Sequence, residues 1–347
     1  MAKLIFFILL PVFVLSQSTD SVDAVVARYM KGGGYTGVSI GIVKNGQVFL
    51  SKGYGQSNLE LNASVSANTV FKLASVSKHM IAVAILKLAQ QGKLSLSDAA
   101  IKFFPGAPQP WKDVTIRHLL NHTSGIVRES PGFDPWKLQA DTLVIKAAYA
   151  APLEYPTGTK WQYCNVGYFM LADIIRQLGG ASFESYMQDS LFLPLGMAQS
   201  GVTSTSKIIP QRASGYILQK DGAVVRAADW VALRPSGAFV SSIADMVKWE
   251  LAIQQDRIIP GANSNIMWAD TVSTNRSHPD SPSAAYGFGW FTSLYQGERV
   301  VYHGGSLPGF RSIYYRFPES KTAIIILANC EPADLTPLAL EIFQRLK

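Results

Sequence analysis

Ser75 and Lys78 form a Ser-x-x-Lys motif at the head of a segment whose apolar residues recur at helical spacing. Gly92 follows this segment and is typical of a helix C-terminus, so we predict a helix from Ser75 to Gln91. Residues three apart lie on one face of a helix, so the Lys78 amine can reach the Ser75 hydroxyl. A serine hydroxyl is a weak nucleophile until a neighbouring group takes up its proton. The motif therefore predicts an active serine that attacks a carbonyl carbon.

Two further clusters of polar residues follow later in the chain. Tyr163 and Asn165 form the only Tyr-x-Asn of the sequence, and they precede a second segment of helical periodicity that ends at two glycines. His303 and Gly305 close an apolar run that is typical of a strand, and glycine there allows another backbone to approach closely. We expect the three clusters to meet at one site.

Two competing serine motifs lie in less suitable contexts. The segment Ser204–Lys207 is a second Ser-x-x-Lys, but Pro210 follows too soon for a long helix, so we predict a loop. The segment Gly37–Gly41 satisfies Gly-x-Ser-x-Gly, which in a nucleophile elbow joins a strand to a helix. Here it leads instead to an Asn45-Gly46 turn between two apolar runs, a pattern that predicts a hairpin with Ser39 inside a strand.

The remaining elements predict an α+β fold. Hairpin and strand signals occur at both ends of the chain, which implies one antiparallel sheet that is completed when the ends meet, with helices flanking it. The middle of the chain, from about residue 75 to 190, is mostly helical and forms an inserted lobe. The predicted terminal elements are a helix at 20–31, a hairpin at 36–50, strands at 299–302, 312–317 and 322–328, and a helix at 338–346.

Composition excludes several other classes of function. The 347 residues carry a formal net charge of +7, but Lys and Arg form no run and do not alternate with aromatic residues, so we expect no nucleic-acid partner. No Cys or His cluster has metal-ligand spacing and no phosphate-binding loop follows a strand, so we expect no cofactor and no metal. We predict that Cys164 and Cys330 are free, buried thiols, with a disulfide between them as the alternative.

The N-terminus has the pattern of a signal peptide. Lys3 precedes an apolar run from Leu4 to Leu15, and small residues surround a cleavage point after Ser16 or Ser18. The run is short for a membrane span, although an uncleaved anchor is the alternative. We therefore expect residues 1–16 to be removed from a secreted or periplasmic protein that has no membrane span afterwards, and residues 17–347 to form one catalytic domain.

Taken together, the three motifs resemble those of the serine hydrolases related to class C β-lactamases, penicillin-binding DD-peptidases, D-aminopeptidases and esterases. The resemblance extends from about residue 20 to the C-terminus and includes the stretch 235–241, which is similar to a family stretch near the cleft. It implies a β-lactamase/DD-peptidase-like fold with an α/β lobe of about residues 20–74 and 200–347. A helical lobe of about residues 75–199 would complete the fold, with the site between the two lobes.

The resemblance also implies a role for each motif residue. Ser75 would form the acyl-enzyme, and Tyr163 would be the general base. Lys78 would hold both in a charge-assisted network, because a phenol with a pKa near 10 needs a neighbouring cation to ionise at neutral pH. The backbone N–H groups of Ser75 and Ser306 would bind the oxyanion, and Asn165 would orient the substrate amide.

His303 stands where a β-lactamase usually has a lysine, a permanent cation suited to the carboxylate of a β-lactam. We expect His303 to be charged only part of the time near neutral pH. A small-molecule or peptide substrate with a peptide, D-amino-acid amide or ester bond is therefore favoured over a β-lactam. Peptidase and esterase activities stay open at this point. The alternative is a penicillin-recognising binding or sensor protein that is acylated without turnover.

Overall fold

The computed structural model describes residues 19–32, 34–229, 237, 239–259 and 262–347. The signal peptide predicted for residues 1–16 lies outside the described residues, as do Pro235, Ser236 and Ala238 of the stretch 235–241. The helices are α1 Asp20–Lys31, α2 Ser77–Gln90, α3 Ile116–Leu120, α4 Asp141–Ala147, α5 Asn165–Gly179, α6 Phe183–Met187, α7 Ile243–Gln254, α8 Ala262–Ala269 and α9 Thr336–Leu346.

Within the described residues, the strands form one large sheet and two small ones. The large sheet has nine antiparallel strands in the order β3-β2-β1-β14-β13-β12-β11-β10-β9, and the small sheets have the orders β15-β6-β7 and β4-β8-β5. The strands are β1 Gly37–Lys44, β2 Gln47–Asn58, β3 Ala63–Ser64, β4 Val70–Lys72, β5 Gly201–Val202, β6 Tyr216–Leu218, β7 Val224–Arg226, β8 Phe239–Ser242, β9 Val272–Ser273, β10 Ala285–Tyr286, β11 Phe291–Tyr295, β12 Glu298–Leu307, β13 Phe310–Phe317, β14 Thr322–Ala328 and β15 Cys330–Glu331.

The two ends of the chain meet in the centre of the large sheet, where β1 pairs with β14 and Ile40 lies opposite Ile326. Both faces of β14 are buried, because Ile324 and Ile326 enter the core formed with α1 and α9, whereas Ile325 and Leu327 enter the core shared with α2, α5 and α7. A strand covered on both faces reads as a continuous apolar run rather than an alternating one. The prediction of one antiparallel sheet closed by both termini is confirmed.

The predicted hairpin is also confirmed. Asn45 and Gly46 join β1 to β2 with φ angles of 53° and 73°, the left-handed pair that a two-residue hairpin turn of type I′ requires. Ser39 lies inside β1, and its hydroxyl donates a hydrogen bond to the Ser66 carbonyl at 3.2 Å. The segment Ser204–Lys207 is irregular, as predicted.

Three features of the helices and cysteines bear on the site. The helix predicted from Ser75 begins later, at Ser77, because the preceding residues Ala74–Val76 form a separate 3-10 turn. The helix predicted after the Tyr-x-Asn motif is α5, which ends where Gly180 adopts a left-handed conformation. Cys164 and Cys330 are both free and buried, as predicted. Among the helices of the described ranges, none has the length and apolarity that crossing a membrane requires.

Candidate active site

Ser75 lies in the 3-10 turn just before α2 and faces a cavity of about 630 Å³. The turn is held in a strained conformation, since Ala74 has a φ of 49°, which residues other than glycine seldom adopt. Such strain is found where surrounding packing holds a functional residue in place. The same cavity is also lined by Tyr163, Asn165, His303, Gly305 and Ser306, so the structure brings the predicted site residues together.

Lys78 lies one turn into the helical segment and is fully buried behind Ser75. Its Nζ donates a hydrogen bond to Ser75 Oγ at 3.4 Å. The same nitrogen lies 4.7 Å from the ring centroid of Tyr163 and 5.3 Å from that of Tyr168. A buried amine in contact with the serine hydroxyl and with aromatic faces is a local charge at the point where the serine proton must leave.

Tyr163 places its hydroxyl in a buried position on the same side of the cavity. No hydrogen bond of standard geometry joins this hydroxyl to another described residue. Burial raises the pKa of Tyr163 above its usual value, whereas interaction with the Ser75 hydroxyl and the positive charges of Arg128 and Arg276 lower it. The hydroxyl is thus buried at the cavity wall, and the charges of the two arginines only partly offset the effect of burial on its pKa.

His303 is neutral in this structure. Its Nε2 lies 3.1 Å from the Tyr286 hydroxyl and its Nδ1 lies 2.6 Å from the Gly304 carbonyl oxygen. A carbonyl accepts only, so Nδ1 carries the proton and Nε2 accepts from the tyrosine. Burial and the charge of Lys78 lower the pKa of His303 to about 3. The expectation that His303 is partly charged near neutral pH is therefore wrong, because the sequence does not show how completely this ring is desolvated.

The strand that carries His303 has an unpaired edge at the cavity. β11 pairs with β12 only as far as Tyr302, so beyond that residue β12 has no strand partner among the described residues on the side away from β13. Gly305 faces the 3-10 turn, and a Cβ at this position would lie 2.4 Å from the Leu73 carbonyl oxygen. Glycine is required here for β12 and the Ser75 turn to approach. The oxyanion role of the Ser75 and Ser306 N–H groups stays a prediction that this approach favours.

Asn165 is the first residue of α5, and its side chain is engaged with a residue that the motifs did not indicate. Its Nδ2 donates a hydrogen bond to Glu129 Oε1 at 2.5 Å. Cys164, which precedes it, caps the helix by accepting a hydrogen bond from the Gly167 N–H at 3.3 Å. One of the two side-chain N–H groups of Asn165 is therefore engaged, and its other N–H and its side-chain oxygen are left to meet a substrate.

The His122 ring packs against the Tyr163 ring. The two ring centroids are 4.5 Å apart, and His122 Nδ1 accepts a hydrogen bond from the Cys164 N–H at 3.2 Å. This contact ties the loop after α3 to the loop before α5 and so fixes the direction in which Tyr163 projects. Nothing in the spacing of His122 in the sequence indicated a contact with Tyr163.

The sequence motifs also did not predict three charged residues of the cavity wall. Arg128 and Glu129 lie on the loop between α3 and α4, and Arg276 lies on the loop between β9 and β10. Their positions in the sequence follow no motif or period, so no local signal distinguishes them from ordinary surface residues. In the part of the chain that the structure describes, no group of three or more His, Cys, Asp or Glu residues is arranged to hold a metal ion.

Sequence comparison matches residues 22–346 to the Beta-lactamase family. Protein flp from Staphylococcus aureus (strain COL) is 30% identical over 321 residues, which cover 90% of this chain and 64% of flp. Penicillin-binding protein 4* from Bacillus subtilis (strain 168) is 27% identical over 309 residues, which cover 83% of this chain and 67% of that protein. This chain thus spans only 64% of the length of flp.

Comparison with solved structures establishes the fold. The crystal structure of D-amino acid amidase from Ochrobactrum anthropi SV3, complexed with D-phenylalanine, is similar with a TM-score of 0.82 and 22% identity, over 94% of this chain and 97% of the amidase. The predicted α+β, β-lactamase/DD-peptidase-like fold is confirmed. The family match covers nearly the whole chain, and the chain belongs to the Beta-lactamase family.

Proposed function

We propose that this protein is an exported hydrolase that cleaves peptide, amide or ester bonds through an acyl-enzyme on Ser75. The observation that carries the proposal is the contact of 3.4 Å between Lys78 Nζ and Ser75 Oγ at the wall of a cavity that Tyr163 also lines. A nucleophile in contact with a charged partner, next to a second titratable group, is the arrangement that acyl transfer requires.

In the proposed first step, Ser75 Oγ bonds to the carbonyl carbon of the substrate while its proton passes to the Lys78–Tyr163 pair. These two groups are close together, since Lys78 Nζ lies 4.7 Å from the ring centroid of Tyr163. Tyr163 is the member of the pair that lines the cavity. The negative charge on the carbonyl oxygen is met by backbone N–H groups near Ser75 and Ser306.

In the second step, the bond from the carbonyl carbon to the leaving nitrogen or oxygen breaks, and Tyr163 gives the proton to that atom. Water then attacks the acyl-enzyme, the pair takes up a proton from the water, and the pair passes that proton to Ser75 Oγ as the bond from Oγ to the acyl carbon breaks and the acid is released. The same groups serve amide and ester carbonyls, because the same nucleophile, proton donor and oxyanion donors act on both.

The neutral state of His303 supports peptide, amide or ester substrates over β-lactams. A buried, uncharged imidazole offers no cation to a β-lactam carboxylate at this position. D-amino acid amidase shares the fold, and its bound D-phenylalanine makes a D-amino acid amide a suitable test substrate for this chain. Penicillin-binding protein 4* makes acylation by a penicillin the second reaction to test.

The test compares the wild type with Ser75→Ala and Ser204→Ala on a p-nitrophenyl ester, a D-alanyl-D-alanine peptide, a D-amino acid amide and a chromogenic cephalosporin. Ser204 belongs to the other Ser-x-x-Lys and lies outside the cavity, so it is the matched control. We expect Ser75→Ala to lower kcat by at least about 10³-fold and Ser204→Ala to leave it unchanged. Protein recovered from the culture medium should begin at Gln17 or Thr19.

Each other outcome contradicts a defined part of the proposal. Stable labelling of Ser75 by the cephalosporin without turnover of any substrate would favour a penicillin-recognising binding protein. Full turnover in Ser75→Ala would remove Ser75 as the nucleophile. Recovery of the protein only inside the cells, with residues 1–16 intact, would contradict export.

A further inference from the structure

The active-site cavity continues around the edge of β12 to the opposite face of the sheet. Side chains alternate along this strand, so His303 and Gly305 face the turn that carries the nucleophile, whereas Tyr302, Gly304 and Ser306 face the side of α1 and α9. All five residues line the same cavity. β11 pairs with β12 only as far as Tyr302, so in the described part of the chain no strand closes this edge beyond it. A bound molecule can therefore extend from one face of the sheet to the other.

On this outer face, the cavity forms a pocket above Gly304. A Cβ at Gly304 would meet only the Ser312 carbonyl oxygen, at 3.8 Å, so the space above this residue is open. The surrounding side chains are mostly apolar, since Ile313 lies opposite Gly304 on β13 and Leu335 lies on the loop between β15 and α9. We call this space the outer pocket, which is lined by Tyr302, Gly304, Ile313, Tyr315 and Leu335.

Aromatic rings of neighbouring strands form one wall of the outer pocket. Phe291, Tyr302 and Tyr315 are paired across β11, β12 and β13. Their rings stack, with successive centroids 5.4 and 5.2 Å apart and interplanar angles of 23° and 19°. Rings that stack across the strands turn their edges along the strands, toward Gly304. Because ring edges carry partial positive charge and attract the face of another aromatic ring, this wall favours an aromatic occupant over an aliphatic one of similar size.

The charged residues at this end of the cavity favour a neutral occupant. Arg311 is bound to Glu331, with its Nη1 2.7 Å from Oε2 of the carboxylate, so its charge is already paired. Asp334 is exposed, and its carboxylate accepts a hydrogen bond from the Thr336 N–H at 3.0 Å. An anion in the outer pocket would therefore meet a paired cation and a hydrated carboxylate that repels it.

Phe291 connects the outer pocket to the Tyr163 side of the active site. Its ring centroid lies 5.4 Å from that of His303 and 5.9 Å from that of Trp161, and the Trp161 centroid lies 6.5 Å from that of Tyr163. Tyr163 and Tyr302 also pack against the same small apolar cluster. In the proposed function, Tyr163 gives its proton to the leaving atom. The part of the substrate on this side of the nucleophile is therefore the leaving group.

We propose that the outer pocket binds a neutral aromatic group on the leaving group of the substrate. This inference rests on the proposed function and narrows its substrates to acyl donors whose leaving alcohol or amine carries an aromatic side chain. The leaving group crosses the edge of β12 beside Gly304 and places its ring against the edges of Tyr302 and Tyr315. A primary amide, which releases ammonia, leaves the outer pocket empty.

The experiment uses acetate esters of three glycolamides whose amide nitrogen carries a methyl, a 2-phenylethyl or a 2-cyclohexylethyl group. The acyl group and the leaving oxygen are the same in all three, so the ratios of their kcat/KM values report contacts of the nitrogen substituent alone. Gly304→Val fills the outer pocket, and Tyr302→Leu removes a ring from its wall. Tyr295→Leu is the control, since Tyr295 packs on the same face of the sheet but does not line the cavity. Rates measured with Ser75→Ala are subtracted as background.

We expect the wild type and Tyr295→Leu to prefer the phenylethyl ester over the methyl ester by about tenfold, because the outer pocket removes part of the phenyl surface from water. The preference over the cyclohexylethyl ester should be about two- to fivefold, because only an aromatic ring gains from the ring edges of the wall. Gly304→Val and Tyr302→Leu should each lower the ratio of phenylethyl to methyl by at least about threefold.

The contrary outcomes separate the outer pocket from the proposed function. Equal rates for all three esters in the wild type, or unchanged ratios in both Gly304→Val and Tyr302→Leu, overturn the outer pocket alone, since the methyl ester is still hydrolysed. Equal rates for the phenylethyl and cyclohexylethyl esters overturn its aromatic preference. A preference for a 3-phenylpropanoyl over an acetyl group on the methyl glycolamide that Gly304→Val abolishes overturns the assignment to the leaving group. Failure of the wild type to hydrolyse any ester faster than Ser75→Ala overturns the proposed function and the outer pocket with it.

Discussion

Gly305 is the residue at which β12 comes closest to the turn that carries Ser75. A Cβ there would lie 2.3 Å from Ser312 Oγ, 2.4 Å from the Leu73 carbonyl oxygen and 3.0 Å from the Ala74 Cβ. Its neighbour Gly304 points the other way, and a Cβ there would meet only the Ser312 carbonyl oxygen, at 3.8 Å. The two adjacent glycines therefore differ. The lack of a side chain at Gly305 permits the contact between β12 and the Ser75 turn, whereas a methyl group at Gly304 would fit without a clash.

Gly305→Ala and Gly304→Ala consequently form a matched pair. We expect Gly305→Ala to lower the free energy of unfolding by about 1–3 kcal/mol, because the added methyl group overpacks the contact with the Ser75 turn. Ester hydrolysis should fall with it, since the nucleophile is displaced. Gly304→Ala should unfold at the same denaturant concentration as the wild type. Equal stability of the two variants would show that β12 and the turn are not in the contact described.

At the scale of elements, α7 is fixed to the sheet by a buried polar cluster as well as by apolar packing. Glu250 on α7 accepts a hydrogen bond from Arg316 Nε on β13 at 2.7 Å and another from the Tyr314 hydroxyl. Both charged side chains are buried, at 1% and 6% exposure. A buried ion pair adds little by itself, but the loss of one partner leaves an uncompensated buried charge.

Glu250→Gln tests this cluster. We expect the substitution to lower the free energy of unfolding by about 3–5 kcal/mol, because Arg316 then stays charged in an apolar surrounding. Glu319→Gln is the control, since Glu319 pairs with Arg299 at the exposed surface and its loss should cost less than about 1 kcal/mol. Urea unfolding of the three proteins measures the difference. Similar values for the two variants would mean that water reaches Arg316.

At the scale of the whole molecule, all five histidines share one property. Burial lowers the pKa of each of them below the ordinary value of 6.5. The unfolded chain therefore binds protons at a pH where the folded protein does not. The stabilisation that depends on neutral histidines is complete above about pH 6.5, and it is lost as the pH falls toward the folded-state values.

His79→Phe isolates one of these groups. His79 is fully buried and stacks on Trp290 with ring centroids 4.3 Å apart, a position that a phenylalanine ring can fill. Between about pH 7 and pH 5, we expect the wild type to lose up to about 2 kcal/mol more unfolding free energy than the variant. Denaturant titrations at the two pH values measure this difference. Equal losses would show that His79 takes up its proton as readily in the folded state as in the unfolded state.

The sequence by itself determined the features that depend on local spacing. The three-residue separation of Ser75 and Lys78 predicts their contact, and the Asn45-Gly46 turn predicts the first hairpin, because both follow from backbone geometry over a few residues. The hairpin and strand signals at the two ends predicted one antiparallel sheet, which the pairing of β1 with β14 completes. The motif residues were likewise predicted to meet, and they line one cavity.

Only the tertiary structure decided the electrostatics of that cavity. Arg128 and Arg276 lie 148 residues apart in the sequence and are brought together by loops whose path no periodic pattern records. The neutral state of His303 depends on desolvation by surrounding elements and on the charge of Lys78. Local geometry follows from short-range sterics and spacing. The burial of a charged group and the electrostatic field that acts on it depend instead on contributions from the whole folded chain.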